Sequence, residues 1–267
     1  MLTFLSIIKS NFALILRLSK RDIESRYKGT FLGILWAVFI PILLLAVYTF
    51  VFSEVFQAKW GGNLNGRWDF ALVLFCGLVF FNLFSECIGR APSLILYNSV
   101  YVKKVLFPLE ILPVVALISA LFNFFLSYIV LVIGFIFVNG IPNLGIFIVP
   151  FLLIPFSFLI LGLSYFLASL GVYIRDLNQI IGVIIMVLMF LSPIFYRIEA
   201  LPQLYQNIVQ ISPVTIIIEA ARTIMFKDGV HSLNYYLLGG YFLASLIVLY
   251  IVFLFFQKTK KGFADVI

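Results

Sequence analysis

Residue types that do chemistry are scarce: the 267 residues hold one histidine, two cysteines and eleven Asp and Glu. His231 lies two residues after Gly229 in what reads as a loop. A histidine-based metal site or catalytic triad would therefore need help from another chain. Cys76 and Cys87 fall in one apolar run, eleven residues apart, which spaces them ~16 Å along a helix. They cannot bond to each other within that helix and do not have metal-ligand spacing, so they read as small apolar fillers. No G-x-x-x-x-G-K-[ST] occurs, so the sequence shows no phosphate-cradling loop of its own. Glu54, Asp69, Glu86 and Glu110 fall near the ends of apolar runs, not in their middles, which disfavours a proton- or sodium-coupled carrier. Glu54 and Asp69 are the only loose pair available to an enzyme acting on a lipid-linked sugar. With no evident fuel or coupling-ion site, the chain is expected to be either a passive channel or a pore driven by a partner.

The elements that would position these residues are membrane helices. The chain is 64% hydrophobic and 11% charged, with a mean hydropathy of +1.17; a soluble domain is nearer half apolar and a quarter charged. A span needs about 20 mostly apolar residues. Six candidates run near 31–56, 70–89, 109–137, 146–173, 178–196 and 235–256. The expected fold is all-α, a polytopic membrane protein of six transmembrane helices. Lys9 breaks the first apolar run too early for a cleavable signal, so the first span is expected to stay in the membrane.

Charge sets the expected orientation. Thirteen of the eighteen Lys and Arg fall in 1–30, 90–108, 174–177 and 257–267, and five in the opposite segments. Both termini are therefore expected in the cytoplasm. The net charge of +7 then faces anionic lipid, with no need for nucleic acid. Residues 11–28 predict an amphipathic helix on the membrane surface, with Phe12, Leu16, Ile23 and Tyr27 on one face and Arg17, Arg21, Glu24 and Lys28 on another. Asp22/Arg26 and Glu24/Lys28 stand at i,i+4 in the supportive order. Gly29 and Gly33 form a G-x-x-x-G before span one, suited to close helix approach or to a tight turn. Between Pro92 and Pro108 the pattern predicts a short helix. Residues 203–210 alternate Leu204, Tyr205 and Ile208 with Gln203, Gln206, Asn207 and Gln210, as an interfacial helix does. The helix expected from Val214 to Phe226 is too short to span and carries Glu219 and Arg222 at i,i+3. Two such short helices predict a re-entrant hairpin over 199–226, which survives at membrane depth only beside protein or water.

Five strings then appear in order: R-Y-K-G-T-F-L-G-I-L-W-A-V-F-I-P from Arg26, V-K-K-V-L-F-P-L-E-I-L-P from Val102, Y-I-R-D-L from Tyr173, S-P-I-F-Y from Ser192 and S-P-V-T-I-I-I-E-A-A-R from Ser212. Together they resemble the permease subunit of ABC-2 type polysaccharide exporters, above all the O-antigen (lipopolysaccharide) exporters of Gram-negative bacteria. The resemblance covers nearly the whole chain. One departure is Ser212, where related permeases often have Asn before Pro; either breaks a helix.

The resemblance implies a pore of two copies, seated in the bacterial inner membrane on two ATP-binding-cassette subunits. ATP and Mg would sit on those partners; no cofactor is implied in this chain. Its implied cargo is undecaprenyl-pyrophosphate-linked polysaccharide. Residues 1–30 then form a cytoplasmic interface helix, 31–256 the transmembrane domain with a coupling segment at 92–105 and a periplasmic hairpin at 199–226, and 257–267 a cytoplasmic tail. Arg17, Arg21, Asp22, Glu24, Tyr97, Asn98, Arg175 and Asp176 are the implied ATPase contacts. Sugar rings stack on aromatic faces, and Trp36, Phe39, Tyr48, Phe52, Phe190, Phe195 and Tyr196 lie on the spans that would line the path. Arg26, Lys28, Lys103 and Lys104 stand where a lipid pyrophosphate would first meet protein. Pro213, Glu219 and Arg222 mark the hairpin. Export of teichoic acid or capsule, and a membrane enzyme acting on lipid-linked sugars, remain the alternatives.

Overall fold

The computed structural model describes residues 2–55, 60, 68–102, 107–140, 144–226 and 232–267. His231, Lys103 and Lys104 lie outside the described residues, as does the side chain of Glu54. Among the described residues the chain is helical, with no strand. In order it forms α1 (Leu2–Ser10), α2 (Phe12–Tyr27), α3 (Trp36–Tyr48), α4 (Asp69–Arg90), α5 (Leu94–Tyr97), α6 (Ser99–Val102), α7 (Ile111–Asn139), α8 (Leu153–Tyr173), α9 (Leu177–Leu191), α10 (Gln203–Ile211), α11 (Pro213–Phe226), α12 (Tyr235–Thr259) and α13 (Phe263–Val266).

The centre of the bundle is α4. From Phe70 to Phe81 it is apolar all round and buried, against α7, α8, α9 and α11, as expected of a stretch with no polar face; its charges, Asp69, Glu86 and Arg90, lie towards its ends. Lipid tails are as apolar as these side chains, so the gain on packing is close van der Waals contact and not escape from water. Phe80 meets Phe124 edge-on at 5.0 Å, and Phe84 stacks on Phe156 at 6.3 Å. Two buried tyrosines find carbonyls on neighbouring elements: Tyr128 donates to Ile146 and Tyr165 to Glu110, both at 2.6 Å.

Among the described residues, five helical segments are long and apolar enough to cross a bilayer: Gly33–Phe52, Asp69–Tyr97, Ile111–Asn139, Gly145–Tyr173 and Tyr235–Val266. The span expected at 178–196 is helical only as α9, Leu177–Leu191. Fifteen residues rise only ~22 Å. The apolar run continues past the helix stop at Ser192–Pro193, where the backbone turns extended at Ser192 and the next amide, on proline, has no hydrogen to give. Helices α10 and α11 meet at 95° around Ser212 and count together as a sixth candidate.

Two groups of turns mark the ends of the bundle. At the basic end lie α2, the turns 91–102, the start of α7, the α8–α9 corner and the tail. Here Phe4 of α1 inserts edge-on against Phe253 at 5.1 Å and Tyr165 at 6.4 Å. Lys260 reaches Glu110 at 2.7 Å, and the Phe263 ring is fully buried. The opposite end holds the 144–152 turns, α10 and α11.

Helix α2 lies on α7 with a face the periodicity did not mark. Ile15 and Ser19 are buried and Asp22 and Arg26 half-buried, whereas Phe12 and Leu16 are exposed. The expected apolar stripe therefore divides: Phe12 and Leu16 turn outward, as suits a membrane surface, whereas Ile23 and Tyr27 are half-buried with the mixed stripe that faces protein. Gly29 and Gly33 then adopt φ of +84° and +54°, and nothing lies within 4 Å of a Cβ at either position. They serve the turn from α2 into span one, not a close helix crossing. Between the prolines the chain forms two short helices, α5 and α6, broken at Asn98, where one was expected.

Candidate functional site

At the basic end, four charges join α2 to α4. Arg90 donates to both oxygens of Asp22, at 2.7 Å and 3.0 Å. Arg26 donates to Asp22 Oδ2 at 3.2 Å and pairs with Glu86. Asn123 of α7 donates to Glu86 Oε2 at 3.1 Å and accepts from the Tyr27 hydroxyl at 3.1 Å. Burial pushes the Asp22 carboxyl up, but the hydrogen bond and charge of Arg90, with Ser119 and Arg26, outweigh it and hold the pKa below its ordinary value. Burial also opposes the charge on Arg26, and Glu86 and Asp22 outweigh it in turn. The arrangement is a two-cation, two-anion lattice that fixes the surface helix to spans two and three.

This lattice changes the picture for two residues. Asp22 was expected to meet an ATPase and Arg26 a lipid pyrophosphate; both are spent within the chain. Sequence spacing showed Asp22/Arg26 as a helix pair but gave no sign that Arg90, 68 residues away, takes the other half of the carboxylate. The other basic-end candidates remain outward. Arg17, Arg21, Glu24, Lys28, Tyr97, Arg175 and Asp176 are exposed; Lys20 reaches Glu24 at 3.8 Å. Asn98 donates to the Leu94 carbonyl at 2.8 Å and is half-buried. Arg17 and Arg21 share one face of α2, and the α5 and α8–α9 turns sit at the same end through the contact of Gly171 with Pro92. A Cβ at Gly171 would stand 1.9 Å from the Pro92 carbonyl oxygen.

At the opposite end, Arg222 is the largest fully buried side chain among the described residues, 2% exposed. Its Nε donates to Val73 O of α4 at 3.1 Å and its Nη2 to Ile194 O at 2.9 Å. Its Nη1 donates to Pro193 O and meets Glu219 at 2.9 Å, so the expected i,i+3 pair forms. The guanidinium also lies 4.6 Å from the centre of the Trp60 ring, a cation–π contact. A planar fork with five donors suits such convergent carbonyls. Room for it comes from Gly77, where a Cβ would stand 2.8 Å from Arg222 Nη2. The motif S-P-I-F-Y thus supplies acceptors to the motif that ends E-A-A-R. Pro213 starts α11 immediately after the bend.

The aromatic candidates divide. Phe190 stacks on Phe195 at 6.0 Å, Phe195 lies 6.4 Å from Phe52, and Phe52 lies 6.5 Å from Tyr48. Phe52 also stacks on Phe70 at 5.3 Å, and Phe70 meets Trp60 at 5.4 Å. A continuous aromatic ladder therefore runs from α9 through span one to Trp60 and Arg222. Phe70 and Trp60 were missed because they belong to other segments of the sequence. Tyr196 turns its hydroxyl back to Leu191 O at 2.8 Å, beside the ladder. Trp36 and Phe39 form a separate pair at 6.4 Å.

Cys76 and Cys87 are free and buried. Asp69 is buried at the start of α4. Among the described residues no group of three or more His, Cys, Asp and Glu is placed to hold a metal.

A bundle of long apolar helices with a basic end, a bent helix pair at the other and an aromatic ladder between two spans fits a membrane transport subunit. The ABC-2 type transporter family model matches residues 13–226. The chain belongs to this family. It is an integral membrane protein of a transporter. It is 26% identical over 258 residues to the O-antigen export system permease protein RfbA of Klebsiella pneumoniae, covering 96% of this chain and 95% of that one. It is 30% identical over 189 residues to the protein of the same name from Myxococcus xanthus, covering 70% of each.

Proposed function

We propose that this chain is the permease subunit of an ATP-driven exporter that carries O-antigen polysaccharide, on its undecaprenyl-pyrophosphate carrier, across the bacterial inner membrane. The observation that carries the reading is alignment along 96% of the chain with a permease named for O-antigen export. The accessible part of the ladder, Phe190, Phe195, Phe52 and Tyr48, supports it: a polymer that must slide is better served by flat apolar faces than by a row of charges. In this reading two copies form the pore, and two cytoplasmic subunits bind and hydrolyse ATP with Mg. The basic end faces the cytoplasm, in keeping with the charge bias. The α10–α11 bend is a re-entrant hairpin on the periplasmic side.

The exposed side chains Arg17, Arg21, Glu24, Tyr97, Arg175 and Asp176 are offered to the ATPase, while the Asp22–Arg90–Arg26–Glu86 lattice passes its motion to spans two and three. A lever must be rigid, and the lattice supplies that rigidity. The test is genetic and chemical: the chromosomal copy is removed and the lipid-linked polymer located. Export by this chain requires polymer to accumulate on the cytoplasmic side and to return to the surface on complementation. Surface polymer unchanged in the deletion strain would overturn the proposal. Replacement of the accumulated polymer by teichoic acid or capsule precursors would move the same machinery to another cargo.

A further inference from the structure

A cleft opens at the end opposite the lattice, between α10, α11 and the start of α12. It has a volume of about 320 Å³, at the small end of the ~300–1,000 Å³ typical of small-ligand sites. Its polar lining is made of amides and hydroxyls: Gln206, Gln210, Thr215, Thr223, Ser232 and Asn234. Ile198, Ile216, Leu237 and Leu238 supply apolar wall.

Charge narrows the ligand. Two carboxylates reach the cleft, Glu199 and Glu219. Each is already met by an arginine, Glu199 by Arg197 at 3.4 Å and Glu219 by Arg222 at 2.9 Å. Among the described lining residues there is no Lys or Arg. A phosphate headgroup would meet two acids whose arginines are already engaged, and no Lys or Arg among the described lining residues, so a lipid phosphate is disfavoured. A neutral ligand rich in hydroxyls is favoured, because amides and hydroxyls both donate and accept; Gln206 already donates to Leu201 O and Asn234 Oδ1 accepts from Leu237 N, so Gln210, Thr215 and Thr223 are the groups offered.

One side chain points to a ligand independently of the shape. Thr215 lines the cleft, is 2% exposed, and its Oγ1 makes no hydrogen bond to any described residue. A buried hydroxyl left unmade is costly, and in the first turn of α11 the carbonyl four residues earlier, on Ile211, belongs to α10 across the bend.

We infer that this cleft is a saccharide-binding subsite that holds a neutral sugar residue of the polymer on the far side of the membrane. The inference rests on the export reading above and adds to it a site outside the aromatic ladder. Thr215 Oγ1 and the side chains of Gln210 and Thr223 hydrogen-bond the sugar hydroxyls, while Leu237 and Leu238 pack on its C–H faces.

The test uses the full chain in lipid nanodiscs, free of sugar detergents, with its ATPase partner co-expressed for export. The probe is the glycan released by mild acid from the host's own lipid-linked polymer, with binding read by saturation-transfer NMR. Thr215→Val keeps the shape and removes the hydroxyl; Gln210→Leu alters an exposed position. Each is expected to weaken glycan binding at least tenfold and to slow surface delivery of polymer. The apparent Tm of Thr215→Val should stay level or rise, because it loses no internal hydrogen bond; this separates lost recognition from lost folding. Wild-type export with binding unchanged in both variants would overturn the subsite and leave the export reading standing. A wild-type complex that neither exports polymer nor binds the glycan would overturn both.

Discussion

Arg90 grips both carboxylate oxygens of Asp22, at 2.7 Å and 3.0 Å, and so joins the surface helix α2 to the end of α4. Both groups are half-buried, and the bonds are charge-assisted. Cutting one partner leaves the other without its fork. Arg90→Ala and Asp22→Ala are each expected to cost roughly 1–2 kcal/mol, between an exposed ion pair and a buried one. The double variant should cost less than the sum, since the second change removes a group already orphaned. Apparent Tm values of the four proteins in nanodiscs measure the coupling; strictly additive losses would mean that the two residues do not act together.

The same pair sets a pH dependence. Arg90, Ser119 and Arg26 outweigh the burial that raises the Asp22 pKa, so the folded value lies below the unfolded one. A depressed carboxylate stabilises the fold above its unfolded pKa, near 4, and loses that contribution as pH falls through the folded value. The stability difference between the natural protein and Asp22→Asn should therefore stay constant from about pH 8 to pH 5 and shrink below about pH 4. A difference that faded near neutral pH would assign the titration to another group.

Arg222 is expected to be the least replaceable residue of the α10–α11 pair. Arg222→Met fills the space but leaves the carbonyls of Val73, Pro193 and Ile194 without their donor, at a cost on the order of 3 kcal/mol. Arg222→Lys should rescue little, because a point-like ammonium cannot reach three diverging carbonyls as the fork does. Gly77→Ala tests the contact from the other side, by placing a Cβ 2.8 Å from Arg222 Nη2. Its damage should diminish in the Arg222→Met background. Limited proteolysis at the helix pair reads all three; an Arg222→Lys protein as resistant as the natural one would remove Arg222 from this role.

How far the sequence could be read depended on which signal a residue carried. Hydropathy located the long spans within a few residues, because twenty apolar side chains in a row admit few other structures. It also located the short pair around Ser212, and the i,i+3 spacing of Glu219 and Arg222 announced their contact. It could not distinguish Asp22 from Glu24 on α2: both have a cation at i+4, and only the rotation of α2 against α7 turns one inward and leaves the other exposed. Nor could it show that α4 is the central helix, since lipid and protein select the same apolar residues. Arg90 and Glu86 looked like span-end charges because their partner lies 60 or more residues earlier. The aromatic ladder was half legible: Tyr48, Phe52, Phe190 and Phe195 were singled out by span, while Phe70 and Trp60 join through packing that no local pattern records.

The exposed basic face of α2 gives a prediction about partners. Arg17 and Arg21 are exposed, so their replacement disturbs little within the chain; surface changes of this kind usually stay within about 0.5 kcal/mol. Arg17→Glu together with Arg21→Glu should leave the apparent Tm unchanged and abolish copurification with the ATPase subunit. Deleting residues 1–28 is a poorer test, because it also removes Phe4 and Ile15 from the core and Asp22 from Arg90. Undiminished copurification of the double charge reversal would place the docking face elsewhere.

Gly171 offers the most direct way to separate folding from coupling at the basic end. It lies in the last turn of α8, against the turn that follows α4, where an added Cβ would sit 1.9 Å from Pro92 O and 2.6 Å from its carbonyl carbon. Backbone cannot yield as a flexible side chain does, so Gly171→Ala must push the 91–97 segment away from α8, at roughly 1–3 kcal/mol. Gly182→Ala on α9 is the matched control: nothing lies within 4 Å of its Cβ position, and a helical Gly→Ala there is expected to be neutral or slightly stabilising. If the 91–97 turns pass motion from the ATPase to the spans, Gly171→Ala should still copurify with its partner but export little polymer, while Gly182→Ala exports normally. Normal export by Gly171→Ala with its lowered Tm would show that the contact holds the fold together and transmits nothing.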